Sequence, residues 1–152
     1  MQLYKKYLFN IFTKSFLEIS SVFLSLVFIL SFLEELSFFK NTDVGIFYLF
    51  FLTSLNVPSV IFEIFPFIFL ISTQFFFMKL FNSDEILTFN KFGVNNFKIL
   101  KVALTTTFIF GLLIVLIFYN FSAKLKFVYL DLKNSYSSDN KYLAVITSNG
   151  LW

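Results

Sequence analysis

Residues 16–33, FLEISSVFLSLVFILSFL, run for eighteen positions with one charge, Glu18, near their start. A stretch of that length and polarity satisfies its own backbone hydrogen bonds only as a helix and its side chains only in a hydrocarbon layer. Two further apolar stretches follow, at 46–80 and 102–121, so most of the chain is committed to a membrane. Of 152 residues, 58% are hydrophobic, and 27 are Phe, more than a soluble core of this size could hide. Only 14% are charged, well under the roughly 25% of soluble domains.

The polar minority excludes several function classes. There is no Cys and no His, which removes disulfide frameworks, thiolate and imidazole metal sites, and Cys- or His-dependent catalysis. No cofactor or metal is expected. The net charge of +3 comes from twelve scattered Lys without Arg, which argues against a nucleic-acid surface. The excess of Phe, Ile, Asn and Lys matches an A/T-biased genome, so the aromatic content is discounted as a functional signal.

Residues 1–15 carry Lys5, Lys6 and Lys14 among Leu3, Tyr4, Tyr7, Leu8, Ile11 and Phe12 at helical spacing. They read as an amphipathic lead-in lying on the cytoplasmic face. A cleaved signal peptide is the rival reading, but Glu34, Glu35, Phe38 and Phe39 stand where a small-residue cleavage site belongs. After a polar turn at 40–43, the stretch 46–80 is too long for one span and holds Pro58, Glu63 and Pro66. An interfacial helix over 46–55, a break at 56–58 and a second span over 57–80 kinked at Pro66 fit it best. Glu63 is an acid near that span's outer interface. The third span covers 102–121, with an extension over 125–133 carried by Leu125, Val128, Tyr129 and Leu132. The hydroxyls of Ser20, Ser21 and Thr105 to Thr107 are placed to bond helix to helix.

Between the second and third spans, NSDEILTFNKFG (82–93) reads as a short helix of its own. Asn82 or Ser83 caps its start, Asp84 and Glu85 favour its positive end, Lys91 its negative end, and Gly93 supplies a left-handed stop. Residues 142–147 are β-prone, and Ser148, Asn149 and Gly150 before Leu151 and Trp152 read as a hairpin turn. Three Lys lie in the first fifteen residues and four in 79–101, against one in 34–45. That asymmetry puts the N-terminus and the short helix in the cytoplasm and the C-terminal segment outside.

Four segments in this order resemble the LptF/LptG permease family of the bacterial lipopolysaccharide exporter. They are LYKKYLFNIFTKSF, the first-span exit FLEEL, VPSVIFEIFPFIFLIS with its two prolines, and SDEILTFNKFGV. The last is similar to the family's coupling helix, so the resemblance implies an ATPase-coupling role for Ser83, Asp84, Glu85, Ile86, Leu87, Phe89, Asn90 and Gly93. It further implies that the first span contributes Phe28, Ser31, Phe32, Glu34 and Glu35 to a lateral gate facing lipid, and that Pro58 and Pro66 kink the second span. Glu85→Ala or Phe89→Ala is expected to disturb ATPase docking.

SNGLW resembles the start of the periplasmic β-jellyroll in LptG-type members. The family has six spans with that jellyroll between the third and fourth, so this chain matches the N-terminal part. The resemblance therefore implies an all-α membrane protein over 1–122, with three transmembrane helices and a cytoplasmic coupling helix at 83–92. A periplasmic segment at 123–152 then begins a β domain. Implied partners are lipopolysaccharide as substrate, a second LptF/LptG-type permease, an LptB-type ATPase dimer and an LptC/LptA-type bridge, with the protein multi-pass in the inner membrane and not itself an enzyme. Two departures stand out: Asn90 where members often carry Arg or Gln, and Ser31, Glu34 and Glu35 where some carry a basic residue. The competing reading is a small three-span assembly or structural protein that moves no substrate.

Overall fold

A computed structural model describes residues 3–40, 42, 44–136, 146–147 and 150–151. Six α-helices follow in order: α1 (Leu3–Phe38), α2 (Ile46–Glu63), α3 (Phe65–Asn82), α4 (Glu85–Lys91), α5 (Asn96–Leu113) and α6 (Tyr119–Asn134). Beyond them, β1 (Ile146–Thr147) pairs antiparallel with β2 (Gly150–Leu151), with Ile146 opposite Leu151 and Thr147 opposite Gly150. The turn residues Ser148 and Asn149, the β-prone start at 142–145, Trp152, and Asn41 and Asp43 of the first turn lie outside the described residues.

The helices assemble into three rods. The first is α1 alone, 36 residues or about 54 Å at 1.5 Å per residue. No Gly or Pro stands between Leu3 and Phe38, so nothing breaks it where the sequence suggested a separate surface lead-in. Residues 3–15 continue the span coaxially, and Leu8, Phe12 and Ser15 are buried against the other helices rather than spread on a membrane face.

The second rod is α2 followed by α3, separated by the single residue Ile64 (φ −90°, ψ 3°). The expected break at 56–58 does not occur. Pro58 sits inside α2, costing the one ladder bond its missing N–H would have made. Pro66 stands in the first turn of α3, where its absent N–H has no intrahelical partner to lose, so the interruption of the rod falls at Ile64, directly ahead of the proline expected to kink it. Both halves run antiparallel to α1, α3 against its first half (Phe12 to Phe76, 5.6 Å between ring centres) and α2 against its second (Phe32 to Phe50, 4.4 Å).

The third rod joins α5 to α6 through a π-helical turn at Ile114–Phe118, so the helical extension beyond the span is present. Among the described residues four helical segments, α1, α2, α3 and the 39-residue α5–α6 rod, are long and apolar enough to cross a membrane. Only 11% of the most apolar window of the last is buried inside the protein, which leaves its surface for lipid or partner helices.

Most Ser and Thr hydroxyls bond within their own helices, while those of Ser15 and Ser20 are buried without a hydrogen-bond partner among the described residues. Thr105, Thr106 and Thr107 donate to the carbonyls of Lys101, Val102 and Ala103, as Thr53 and Ser72 do to Leu49 and Ile68. Interhelical bonding by these threonines is thereby corrected: in a medium without water, the nearest carbonyl one turn back competes best. Two apolar clusters close the bundle. Leu8, Phe12, Phe16 and Ile19 meet Ile68, Phe76, Leu80 and Ile99 near α4, and Phe39 meets Leu49, Leu52, Leu55 and Tyr129 at the far end. In lipid this packing stabilises through close contact rather than through release of water.

Candidate functional site

α4 is a single two-turn helix held between α3 and α5. Its first flanking residue, Asp84, takes a left-handed conformation (φ 52°, ψ 19°), which Asp tolerates better than most residues. No side chain caps the N-terminus. The expected Ser83 cap is replaced by a bond back to the Lys79 carbonyl (2.6 Å), so Ser83 closes α3 rather than opening α4. The C-terminus ends as the sequence indicated. Gly93 has φ 77°, its N–H donates to Asn90 O (3.0 Å), and Val94 N–H donates to Phe89 O (2.9 Å). Those paired bonds are the Schellman stop, for which a residue without Cβ is best suited.

The faces of α4 divide its residues sharply. Glu85 turns inward and accepts a hydrogen bond from the Tyr7 hydroxyl of α1 at 2.8 Å. The Tyr7 ring also meets Phe89 edge-on at 6.1 Å. The second carboxylate oxygen of Glu85 is buried without a hydrogen-bond partner among the described residues. Ile86, Phe89 and Val94 pack onto the apolar cluster of α1, α3 and α5. Leu87 (59% exposed) and Phe92 (81%) point away from the bundle, and Ser83, Asp84 and Asn90 are exposed with them. A cleft of about 420 Å³ opens beside this tie, bounded by Tyr7, Lys14, Lys79 and Glu85. On its rim Lys79 pairs with Glu18 at 2.6 Å, linking α3 to α1.

The first-span residues assigned to a lateral gate do not form an outward surface. Ser31 and Glu35 are buried, Phe28 and Phe32 pack on Phe50 of α2 at 6.0 and 4.4 Å, and Glu34 is the exposed member. The outward stripe of α1 is Leu26, Ile29, Leu30 and Leu33. Glu35 belongs to a polar cluster instead. Its Oε1 accepts from Tyr129 (2.6 Å) and from Lys133 (2.9 Å), and Lys133 also donates to Tyr129 (2.7 Å) while lying 4.5 Å over the Phe38 ring. Glu35 Oε2 has no hydrogen-bond partner among the described residues. Beside it, Lys126 donates to Asn56 of α2 at 2.7 Å.

Tyr7, Asn56, Lys126, Tyr129 and Lys133 thus hold the ends of the bundle without having been singled out for it. For the last three a signal existed: 126, 129 and 133 share one helix face at spacings of three and four. For Tyr7, 78 residues from Glu85, none did. No group of His, Cys, Asp and Glu among the described residues is placed to hold a metal ion.

Long apolar rods with outward-facing grease, joined by a short self-terminated helix at one end, define a multi-pass helical membrane protein. The profile of the family described as "Lipopolysaccharide export system permease LptF/LptG" matches residues 6–152. The chain belongs to that family, whose members are transporter membrane subunits in lipopolysaccharide export rather than catalysts in themselves. Membership implies lipopolysaccharide as substrate and association with other Lpt export components. No curated protein and no solved structure matches the chain.

Proposed function

We propose that this chain is the N-terminal part of an LptG-type permease of an ABC transporter, and that α4 is the helix through which a cytoplasmic LptB-type ATPase dimer drives it. The observation that carries this reading is the division of α4: an inward face tied to α1 through Glu85 and Tyr7, and an outward apolar face at Leu87 and Phe92. An apolar groove on a partner receives the outward face, while the inward face passes its displacement to the first rod. The chain hydrolyses nothing; energy comes from the partner.

In this reading α4 and both flanking helix ends are cytoplasmic, in the inner membrane, as the lysine asymmetry indicates. The β1–β2 pair begins the periplasmic β-jellyroll that hands lipid to an LptC/LptA-type bridge. The GLW ending favours LptG over LptF. A second LptF/LptG-type permease covers the outward stripe of α1, so the gate runs along Leu26, Ile29, Leu30 and Leu33 rather than along Phe28 and Phe32.

Co-purification of the ATPase from membranes tests the docking face. Leu87→Asp places a charge in the partner's groove and is expected to abolish recovery of the ATPase. Glu85→Ala and Phe89→Ala, which loosen α4 from α1, are expected to reduce it less and to uncouple hydrolysis from transport. Full recovery with Leu87→Asp would sink the assignment.

A further inference from the structure

Lys5 and Lys6 stand on the first turns of α1, and Lys98 and Lys101 on the first turns of α5. The fold brings these sequence-distant pairs to one open cleft of about 560 Å³, whose wall includes Phe9 and Val102. No acidic side chain lines it. Among the described residues none of the four lysines has an ion-pair partner; Glu18 pairs with Lys79, Glu35 with Lys133, and Glu85 accepts from Tyr7. Lys98 donates once, to the Gly93 carbonyl at 3.2 Å, which leaves donors on its ammonium group for a ligand.

Four like charges gathered at an apolar wall repel one another unless an anion joins them. A free anion would satisfy the lysines and gain nothing from Phe9 and Val102. A lipid satisfies both, its phosphate among the ammonium groups and its acyl chains along the wall, as basic pockets between membrane helices do for acidic headgroups. We propose that this cleft binds the phosphate headgroup of an anionic phospholipid and so ties α1 to α5 at the end of the bundle where α4 is attached. The orientation proposed above decides only which leaflet supplies the lipid.

The test uses the protein as isolated from membranes, reconstituted into nanodiscs of mixed phosphatidylglycerol and phosphatidylcholine, with retained lipid measured by native mass spectrometry. Phosphatidylglycerol is expected to be retained over phosphatidylcholine. Lys98→Gln with Lys101→Gln should weaken its retention about 25-fold, at about fivefold per lysine. Lys5→Gln with Lys6→Gln, on the other helix, should give the same loss, and Lys40→Gln with Lys124→Gln none.

Equal loss from the control pair, equal retention of the two lipids, or displacement by millimolar inorganic phosphate would each overturn the proposal. Nanodiscs present both lipids on both faces and contain no ATPase, so the result stands apart from the orientation and from the docking role of α4.

Discussion

The two ends of the bundle are fastened in opposite ways. At the α4 end the polar ties are peripheral: Tyr7 to Glu85 and Lys79 to Glu18 lie on the rim of an open cleft. At the α6 end Glu35 is fully buried, and Tyr129 and Lys133 converge on one of its oxygens. An exposed pair fixes little because water and salt compete for both partners. A buried one tolerates no substitute geometry, because an unpaired charge in a dry interior is costly. The far end therefore holds α1 and α6 in register through a buried polar cluster, whereas the polar ties at the α4 end lie open to solvent and leave the apolar packing of Ile86 and Phe89 to hold the short helix.

The largest effect should come from breaking the buried side of that contrast. Lys133→Ala leaves the Glu35 carboxylate without its countercharge and should destabilise the bundle by about 3–5 kcal/mol. Thermal or denaturant unfolding in lipid would read the shift. Pairing it with Glu35→Gln should recover most of the loss, since the buried charge is then gone. A Lys133→Ala protein with an unchanged midpoint would mean that the cluster does not lock the rods.

A smaller effect is expected from Tyr7→Phe, which removes one hydrogen bond to a carboxylate and keeps the ring against Phe89. Because Tyr7 is half exposed, the cost to stability is only about 1 kcal/mol. Its consequence should be local: amide exchange in residues 85–94 speeds up, exchange in α6 does not change, and, under the coupling role proposed for α4, ATPase stimulation by the transported lipid falls. Faster exchange in α6 as well would erase the distinction between the ends.

Where the sequence was legible, a backbone requirement named the residue. Gly93 stops α4 because its left-handed turn is best suited to a residue without Cβ, and the helical extension to Asn134 followed from Leu125, Tyr129 and Leu132 on one face. The run 16–33 announced a span because no other structure satisfies it. What failed were boundaries set by polarity. Lys14 marks where hydropathy drops but not where α1 ends, since a helix without Gly or Pro continues through a charge that can reach outward.

Of the two prolines, Pro58 leaves its helix unbroken, and the interruption falls at Ile64, directly ahead of Pro66. Side-chain directions on α1 and α4 were not legible either. The sequence directs Glu85, Phe89, Phe28, Phe32 and Glu35 to partners or lipid, yet all face this chain's own helices, because which face is covered depends on contacts far apart in sequence.

The smallest effect bears on the exposed side of the comparison. Lys79 and Glu18 are paired at 2.6 Å, the same distance that separates Tyr129 from Glu35, and distance alone would rank the two contacts equal. Exposure separates them: the Lys79 and Glu18 side chains are 38% and 48% accessible, so water solvates each partner when the other is removed. Lys79→Ala is therefore expected to leave the unfolding midpoint where it was, at low and at high salt alike, while the Lys133→Ala shift persists in both. A clear drop for Lys79→Ala that disappears with added salt would show that the α4 end is clamped electrostatically, and the contrast between an end locked by polar contacts and one held by apolar packing would have to be given up.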